Sequence, residues 1–199
     1  MADGRTQSGK PRLASPASEF HASYLAALGE FHNEGSHPEL DIATLADAAD
    51  FARYVEALRA DVKTPGEAVR YVAALRGAEP ETWPGGYVPQ TILWWVAGEE
   101  YLGRVNIRHR LTESLRHEGG NIGYVVRPGA RRRGHATAML AAALPVAAGL
   151  GIESALLDCE ADNVASRRVI EKNGGRLERR EGESLYFLVP TGRTDDPGG

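Results

Sequence analysis

The chain has a single cysteine, Cys159, among its 199 residues, and it lacks any long uninterrupted run of apolar side chains. One cysteine excludes an internal disulfide framework and a multi-cysteine zinc module. A membrane-spanning helix needs about 18 consecutive apolar residues, and no stretch approaches that length. The polar residues 1–10 also lack the apolar core of a signal peptide. We therefore expect no metal site, no membrane association and a cytoplasmic location.

A strong charge of either sign is also missing. The 23 basic and 27 acidic side chains leave a formal net charge of −4. This balance does not favour a generic binder of nucleic acid, although it allows a local basic site. No internal repeat is present, and the polar, Gly/Pro-rich residues 1–10 and 190–199 are typical of flexible tails. We expect one domain over residues 11–189.

The spacing of apolar residues predicts helices first and then mainly strands. Helices are predicted at about residues 18–32, 41–62 and 66–76, followed by a loop at 79–89. Strands are predicted at 90–97, 100–109, 121–127, 152–159, 176–180 and 184–189, with helices at 135–148 and 164–173. This order is typical of a mixed α/β fold in which helices flank a sheet.

The most informative segment runs from Tyr124 to Leu140 and consists of a strand, an arginine-rich loop and the start of an amphipathic helix. Unpaired backbone N–H groups at a helix N-terminus, with arginines beside them, suit a phosphate or pyrophosphate. Gly134 allows a ligand to approach the backbone closely. The loop carries neither the Gly-Lys-Ser/Thr of a Walker loop nor a Gly-x-Gly-x-x-Gly fingerprint. A solvated basic turn before a core helix is the alternative interpretation.

Two motifs in this order carry a family resemblance. Arg131-x-x-Gly134-x-Ala136 resembles the Gln/Arg-x-x-Gly-x-Gly/Ala pattern of the GNAT-type N-acetyltransferase superfamily. The later segment Asn163–Gly175 is similar to that superfamily's Asn-x-x-Ala/Ser helix, which closes with Glu-Lys-x-Gly. The stretch Trp94–Gly175 also resembles a bacterial group of predicted acetyltransferases.

The resemblance implies a GNAT fold, a twisted and mostly antiparallel sheet whose two middle strands splay apart to admit acetyl-CoA as acyl donor. Residues 11–89 would supply the acceptor side, and residues 90–189 would form the acyl-CoA-binding core. The strand would pair with the pantetheine arm, the loop would hold the pyrophosphate, and the later helix would contact the pantetheine or a phosphate. The residues implied for this binding are Val125, Val126, Arg127, Arg131, Arg132, Arg133, Gly134, His135, Ala136, Thr137, Asn163, Ser166 and Lys172.

The catalytic residues are less directly indicated. Many relatives place a tyrosine before the Glu-Lys pair, where it protonates the leaving thiolate, but this chain has Ile170 there. Tyr186 and Tyr124 are the substitutes, of which we select Tyr186. A base must also deprotonate the acceptor amine. Glu118 is our candidate, and Glu160 and His117 are the alternatives. For His109 and Cys159 we favour structural roles.

The predicted activity is therefore direct transfer of an acetyl group from acetyl-CoA to an amine of a small molecule or a peptide. The alternative is a non-catalytic module that binds or senses acyl-CoA. A nucleic-acid-binding domain is the third and weakest hypothesis, because the arginines are dispersed and no recognition motif is present. By analogy with the family alone, the resemblance also allows a homodimer.

Overall fold

The structure, a computed structural model, describes residues 9–60 and 88–192. The seven described strands are β1 (Arg12–Ala14), β2 (Gln90–Ala97), β3 (Glu100–Arg108), β4 (Ile122–Val126), β5 (Ser154–Glu160), β6 (Arg176–Glu181) and β7 (Ser184–Pro190). The helices are α1 (His21–Asn33), α2 (Ile42–Leu45), α3 (Ala48–Arg59), α4 (Glu113–His117), α5 (His135–Gly149) and α6 (Val164–Lys172). The helix predicted at 66–76 and nearly all of the loop predicted at 79–89 lie outside the described residues.

The described strands form two sheets, and together with the helices they confirm the predicted mixed α/β fold. The first has the order β1-β2-β3-β4, and the second has the order β5-β7-β6. A short turn at Gly98 and Glu99 joins β2 to β3, which confirms the predicted hairpin. In the second sheet β7 pairs antiparallel with both neighbours, and Leu157 lies opposite Phe187. Both β4 and β5 are outer strands, so the strand ladder is interrupted between them.

The helices before the sheet differ from prediction at one point. We predicted one helix at 41–62, but the chain forms α2 and then α3. Asp47 interrupts it, because its carboxylate accepts hydrogen bonds from the backbone N–H groups of Ala49 and Asp50 and caps the second helix. The short helix α4 was also not predicted. Its N-terminus is capped by Thr112, whose hydroxyl accepts from the N–H of Leu115.

The described chain divides into two compact units. The first contains residues 9–60, 92–104 and 126–135, and the second contains residues 88–91, 105–125 and 136–192. An aromatic cluster forms the core of the first unit, with Tyr24 stacked on Trp94 at a ring-centroid distance of 5.0 Å. In the second unit α5 buries Met139, Leu140 and Ala143, the apolar face that its periodicity predicted.

None of the helices in these described ranges combines the length and the apolar character that crossing a bilayer requires.

Candidate active site

The arginine-rich loop between β4 and α5 has a backbone shaped to receive an anion. A short turn at Pro128–Ala130 is followed by left-handed backbone at Arg132 (φ 61°) and at Gly134 (φ 82°). A Cβ atom built on Gly134 would meet no atom within 4 Å, so the backbone there borders open space. Within the described residues, no hydrogen bond uses the N–H groups of Arg132, Arg133 or Gly134. Successive free N–H groups before a helix N-terminus form a typical anion-binding concavity.

The arginines of this loop fall into two groups. Arg132 and Arg133 are exposed, and neither forms an ion pair with another described residue. Arg131 instead binds Glu34 through both terminal nitrogens, at 2.8 and 2.6 Å, and its Nε donates to the carbonyl oxygen of Val126. The guanidinium of Arg127 is nine-tenths buried and binds Glu30 in the same two-pronged way. Among the arginines of this loop, Arg132 and Arg133 are therefore the two whose guanidinium groups bind no other residue that the structure describes.

His135 opens α5 with its ring orientation set by a tryptophan. The indole Nε1–H of Trp95 donates to Nδ1 of His135 at 3.3 Å. Because an indole nitrogen only donates, Nδ1 must accept, and the ring proton of the neutral imidazole lies on Nε2. His135 therefore presents a donor at its Nε2 edge.

The strands β4 and β5 meet at one end of β4 through Asn121. Its N–H donates to the carbonyl oxygen of Leu156 at 2.7 Å, and its side-chain oxygen accepts from the N–H of Leu156 at 2.9 Å. The preceding Gly120 has φ +53°, and a Cβ built on it would collide with the backbone of Leu156. A glycine at this position therefore allows the backbone of residue 120 to approach that of Leu156.

The outer edge of β4 offers fewer backbone groups than expected. The N–H of Arg127 donates to the carbonyl oxygen of Leu102 at 2.9 Å, so it points toward β3. Because backbone groups alternate along a strand, Val126 and Tyr124 direct theirs toward the opposite edge. The carbonyl oxygen of Val126 already accepts from Arg131.

A pair of hydroxyl groups lies beside this edge. Tyr124 Oη and Ser166 Oγ share a hydrogen bond of 2.8 Å, and the Tyr124 hydroxyl also lies 3.3 Å from the backbone carbonyl oxygen of Ser166. Burial raises the pKa of Tyr124 to about 12, so the phenol is protonated at neutral pH. Ser166 lies in the first turn of α6, whose cap is the side-chain oxygen of Asn163, which accepts from the N–H of Ser166 at 3.0 Å. The structure thus brings together Tyr124, Asn163 and Ser166.

The remaining residues implied for donor binding lie at the ends of α5 and α6. Thr137, in the first turn of α5, accepts a hydrogen bond at its carbonyl oxygen from the side-chain amide of Asn173, at 3.3 Å. Asn173 directly follows the exposed Lys172. Ala136 is half-buried. The end of α6 is therefore tied to the first turn of α5.

Tyr186 and Glu118, our candidates for acid and base, lie in a different environment from Tyr124. Tyr186 is 3% exposed, and its hydroxyl donates to the carbonyl oxygen of His117 at 2.6 Å. The guanidinium of Arg179 lies over its ring, 3.7 Å from the centroid. Glu118 follows His117 directly and is exposed. The structure brings Tyr186 to the segment containing Glu118, but the phenol proton is directed at a backbone carbonyl.

The residues with expected structural roles have the environments that such roles require. The ring of His109 is hydrogen-bonded to the hydroxyl of Thr91 at 2.8 Å. Cys159 is buried, and this burial raises the pKa of its thiol. Ile170 is fully buried, with its side chain against Gly175.

His117, an alternative base, lies on the surface between Glu113 and Glu181, at 3.4 and 3.3 Å.

Nowhere in residues 9–60 or 88–192 do three His, Cys, Asp or Glu side chains group closely enough to hold a metal ion.

Sequence reasoning missed Asn121 as the link between β4 and β5, and it missed Glu30 and Glu34 as partners of the loop. The spacing held a signal for the second pair. Glu30 and Glu34 are four residues apart, as are Arg127 and Arg131, and carboxylates one helical turn apart can bind two such arginines.

Many solved structures share this architecture, and three acetyltransferases are among them. The microcin C7 self-immunity acetyltransferase MccE, in complex with acetyl-CoA and AMP, has a TM-score of 0.57 and 14% identity, with 93% of this chain and 97% of that chain covered. RimJ of Mycobacterium smegmatis, in complex with CoA-disulfide, has a TM-score of 0.58 and 18% identity, with 91% and 81% covered. RimL, a ribosomal L7/L12 alpha-N-protein acetyltransferase in complex with coenzyme A, has a TM-score of 0.53 and 14% identity, with 93% and 95% covered.

At these identities the likenesses concern the fold. No curated protein sequence matches the chain. The sequence model of the acetyltransferase (GNAT) domain, however, matches residues 33–176, well over half of the chain. The matched range includes the arginine-rich loop, β4, β5 and the helix that Asn163 caps. This chain therefore belongs to the GNAT acetyltransferase family.

Proposed function

We propose that the chain transfers an acetyl group from acetyl-CoA directly to the amine of a small molecule or a peptide. The observation that carries the proposal is the loop at 131–134. The N–H groups of residues 132–134 make no hydrogen bond to any described residue, the backbone is left-handed at Arg132 and Gly134, and Gly134 borders open space. This concavity fits a pyrophosphate, the doubly charged group that links the pantetheine arm of an acyl-CoA to its adenosine. Family membership supplies the reaction class, and the loop supports acyl-CoA as the donor.

In this proposal the pyrophosphate binds the N–H groups that follow Arg131, and the exposed Arg132 and Arg133 add charge. His135 donates from Nε2, and the backbone of Ala136 and Thr137 completes the first turn of α5. This arrangement fits the ligand because the donors are uncommitted among the described residues.

The pantetheine arm would run beside the outer edge of β4. Among Val125, Val126 and Arg127, the alternation of backbone groups favours Val126 for this pairing. Asn163 and Ser166 border the same edge through Tyr124. The exposed Lys172 is available to a phosphate group at the end of α6.

Transfer of the acetyl group requires the acceptor nitrogen, which starts as an ammonium, to lose two protons. The acceptor ammonium loses a proton, its nitrogen attacks the thioester carbonyl carbon, and the carbon–sulfur bond breaks as the amide forms. The departing thiolate then takes a proton from a hydroxyl donor, and the second proton, which the nitrogen loses as the amide forms, restores that donor. We assign this role to the Tyr124–Ser166 pair rather than to Tyr186, because the Tyr186 hydroxyl is bound to the carbonyl of His117.

For the base we keep Glu118. Its carboxylate is exposed, and it follows the segment to which Tyr186 is bonded. In this proposal the acceptor is an amine, and two of the similar acetyltransferases suggest its class. RimL is a ribosomal-protein acetyltransferase, and MccE was solved in complex with acetyl-CoA and AMP. A peptide amine and a nucleotide-linked amine are therefore the first acceptors to test.

The test is thermal unfolding with acetyl-CoA, CoA and longer acyl-CoAs, followed by an assay for CoA release with a panel of amines. A ligand present at 100 times its Kd stabilises the native state by about 2.7 kcal/mol. We expect acetyl-CoA to raise the Tm of the wild type and of Gly151→Glu, but not of Gly134→Glu, in which a carboxylate would repel the pyrophosphate. Gly151 is a matched control, because it has φ +81° and open space, as Gly134 does.

Each outcome has a distinct meaning. If no acyl-CoA raises the Tm of the wild type, the proposed donor is wrong. If acetyl-CoA raises it but no amine of the panel releases CoA, the protein is a binding or sensing module instead.

A further inference from the structure

Two carboxylates at the C-terminal end of α1 bind arginines of the arginine-rich loop. Glu30 lies in α1, and Glu34 follows one helical turn later, so both project from the same side. Glu30 accepts from Nε of Arg127 at 3.2 Å, from Nη2 of Arg127 at 2.5 Å and from the N–H of Gly129 at 2.8 Å. Glu34 accepts from both terminal nitrogens of Arg131. We call these two pairs the loop clamp.

The clamp engages the residue that starts the anion-binding segment. Three nitrogens of Arg131 are used, two by Glu34 and one by the carbonyl of Val126. The backbone turns into its left-handed conformation at the next residue, Arg132. Holding the side chain of Arg131 therefore fixes the direction from which the chain enters the concavity.

The pKa shifts of the two carboxyl groups agree with the two ion pairs of the clamp. Hydrogen bonds from Arg131 lower the pKa of the Glu34 carboxyl, and those from Arg127 lower the pKa of Glu30. Both carboxylates are therefore ionised at neutral pH. Two-pronged pairs between a guanidinium and a carboxylate have the most directional geometry among ion pairs.

We propose that Glu34 is a positioning residue for acyl-CoA. It acts through Arg131 to hold the loop in the conformation that receives the pyrophosphate, and neither side chain contacts the ligand. This inference rests on the proposed function, because it requires that the loop binds an acyl-CoA. The apparent affinity for a ligand falls when only a fraction of the protein is in the conformation that binds it. Loss of the clamp lowers this fraction, because the loop then also adopts other conformations.

The test is a double-mutant cycle on acetyl-CoA binding, measured by calorimetry. We expect Glu34→Gln to weaken binding about fivefold, the factor that corresponds to roughly 1 kcal/mol for a partly exposed pair. Arg131→Gln and the double variant should weaken binding by the same factor, because each removes one shared interaction. Arg132→Gln should weaken binding separately, and its effect should multiply with that of Glu34→Gln.

A merely structural role is tested by a second measurement and a control. In the absence of ligand, the Tm of Glu34→Gln should stay within a few degrees of wild type. Glu178→Gln removes a pair of similar exposure, with Arg179 at 2.9 Å, in the second unit, and it should leave acetyl-CoA affinity unchanged. The ionic-strength dependence of binding should fall in Arg132→Gln but not in Arg131→Gln.

Several results would overturn the proposal. Unchanged affinity in Glu34→Gln shows that the loop needs no clamp. Tighter binding shows that Glu34 competes with the phosphate for Arg131. Additive losses in the cycle show that Arg131 contacts the ligand itself. If wild-type protein fails to bind acetyl-CoA, the proposed function fails before this inference is reached.

Discussion

Gly120 offers the sharpest test of how the two outer strands are joined. Its backbone is left-handed, with φ +53°, and a Cβ there would overlap the carbonyl of Leu156. Gly182 has φ +58°, but a Cβ built on it would meet no atom within 4 Å. The two glycines share a conformation and differ in their surroundings. Comparing Gly120→Ala with Gly182→Ala therefore isolates the steric contribution.

The expected magnitudes differ severalfold. Left-handed backbone costs an alanine about 1 kcal/mol, and this is the whole expected effect of Gly182→Ala. Gly120→Ala adds an overpacking cost of about 1–3 kcal/mol. It also displaces the bond between the N–H of Asn121 and the Leu156 carbonyl, which contributes about 1 kcal/mol. The free energy of unfolding should fall by roughly 3–5 kcal/mol in total.

Thermal unfolding measures the difference. For a protein of this size 1 kcal/mol corresponds to about 2–4 °C in Tm. Gly120→Ala should therefore lower the Tm by roughly 10 °C and Gly182→Ala by only a few degrees. Hydrogen exchange of the Leu156 N–H, which donates to the Asn121 side chain, should accelerate in Gly120→Ala alone. Equal losses of Tm in the two variants would show that the approach to Leu156 imposes no constraint.

Three further predictions concern chemistry, packing and pH. Tyr124→Phe and Ser166→Ala should each lower kcat about 100-fold while acetyl-CoA affinity stays within threefold, whereas Tyr186→Phe should lower stability by about 1 kcal/mol and leave kcat nearly unchanged. Ile170→Tyr should lower the free energy of unfolding by about 1–3 kcal/mol without raising turnover, because Ile170 is fully buried. The pKa of Glu30 is lowered in the folded state, so its stabilisation is complete above the ordinary carboxyl pKa and is lost as pH falls through the folded value. Urea unfolding of wild type and Glu30→Gln should therefore differ at pH 7 and converge as the pH falls toward 3.

The order of strands and helices and the position of the loop could be predicted from the sequence. Both depend on local signals: alternating apolar residues for strands, a period near 3.6 for α5, and glycine at the loop. The break between α2 and α3 was missed because Asp47 lies in an otherwise continuous helical pattern. A side chain that caps a helix competes with helix continuation, and composition alone does not show which wins.

The arrangement of the site depends on contacts between distant residues. Arg131 and Glu34 are 97 positions apart, and the shared four-residue spacing of the two arginines and the two carboxylates does not by itself show that they meet. The motif predicts that the loop beginning at Arg131 holds the pyrophosphate, and the structure adds that the side chain of Arg131 binds a carboxylate and a carbonyl. Asn121 and Leu156 are likewise brought together only when both sheets have formed. Such contacts follow from topology, which a single sequence does not specify.

The choice between the two tyrosines as proton donor depends on the hydrogen-bond partner of each hydroxyl, which the residue type does not give. Tyr186 and Tyr124 carry the same phenol, and residue type gave no reason to prefer the second. The proton of Tyr186 is directed at the carbonyl of His117, an oxygen that accepts but cannot return a proton. Tyr124 also lies 3.3 Å from a backbone carbonyl, that of Ser166, but its shorter hydrogen bond, of 2.8 Å, is with the Ser166 hydroxyl, which both accepts and donates. A thiolate that takes a proton from this pair leaves a phenolate or alkoxide, which the second hydroxyl stabilises until the second proton of the acceptor nitrogen restores it. This is why we assign the proton donor to Tyr124 and Ser166.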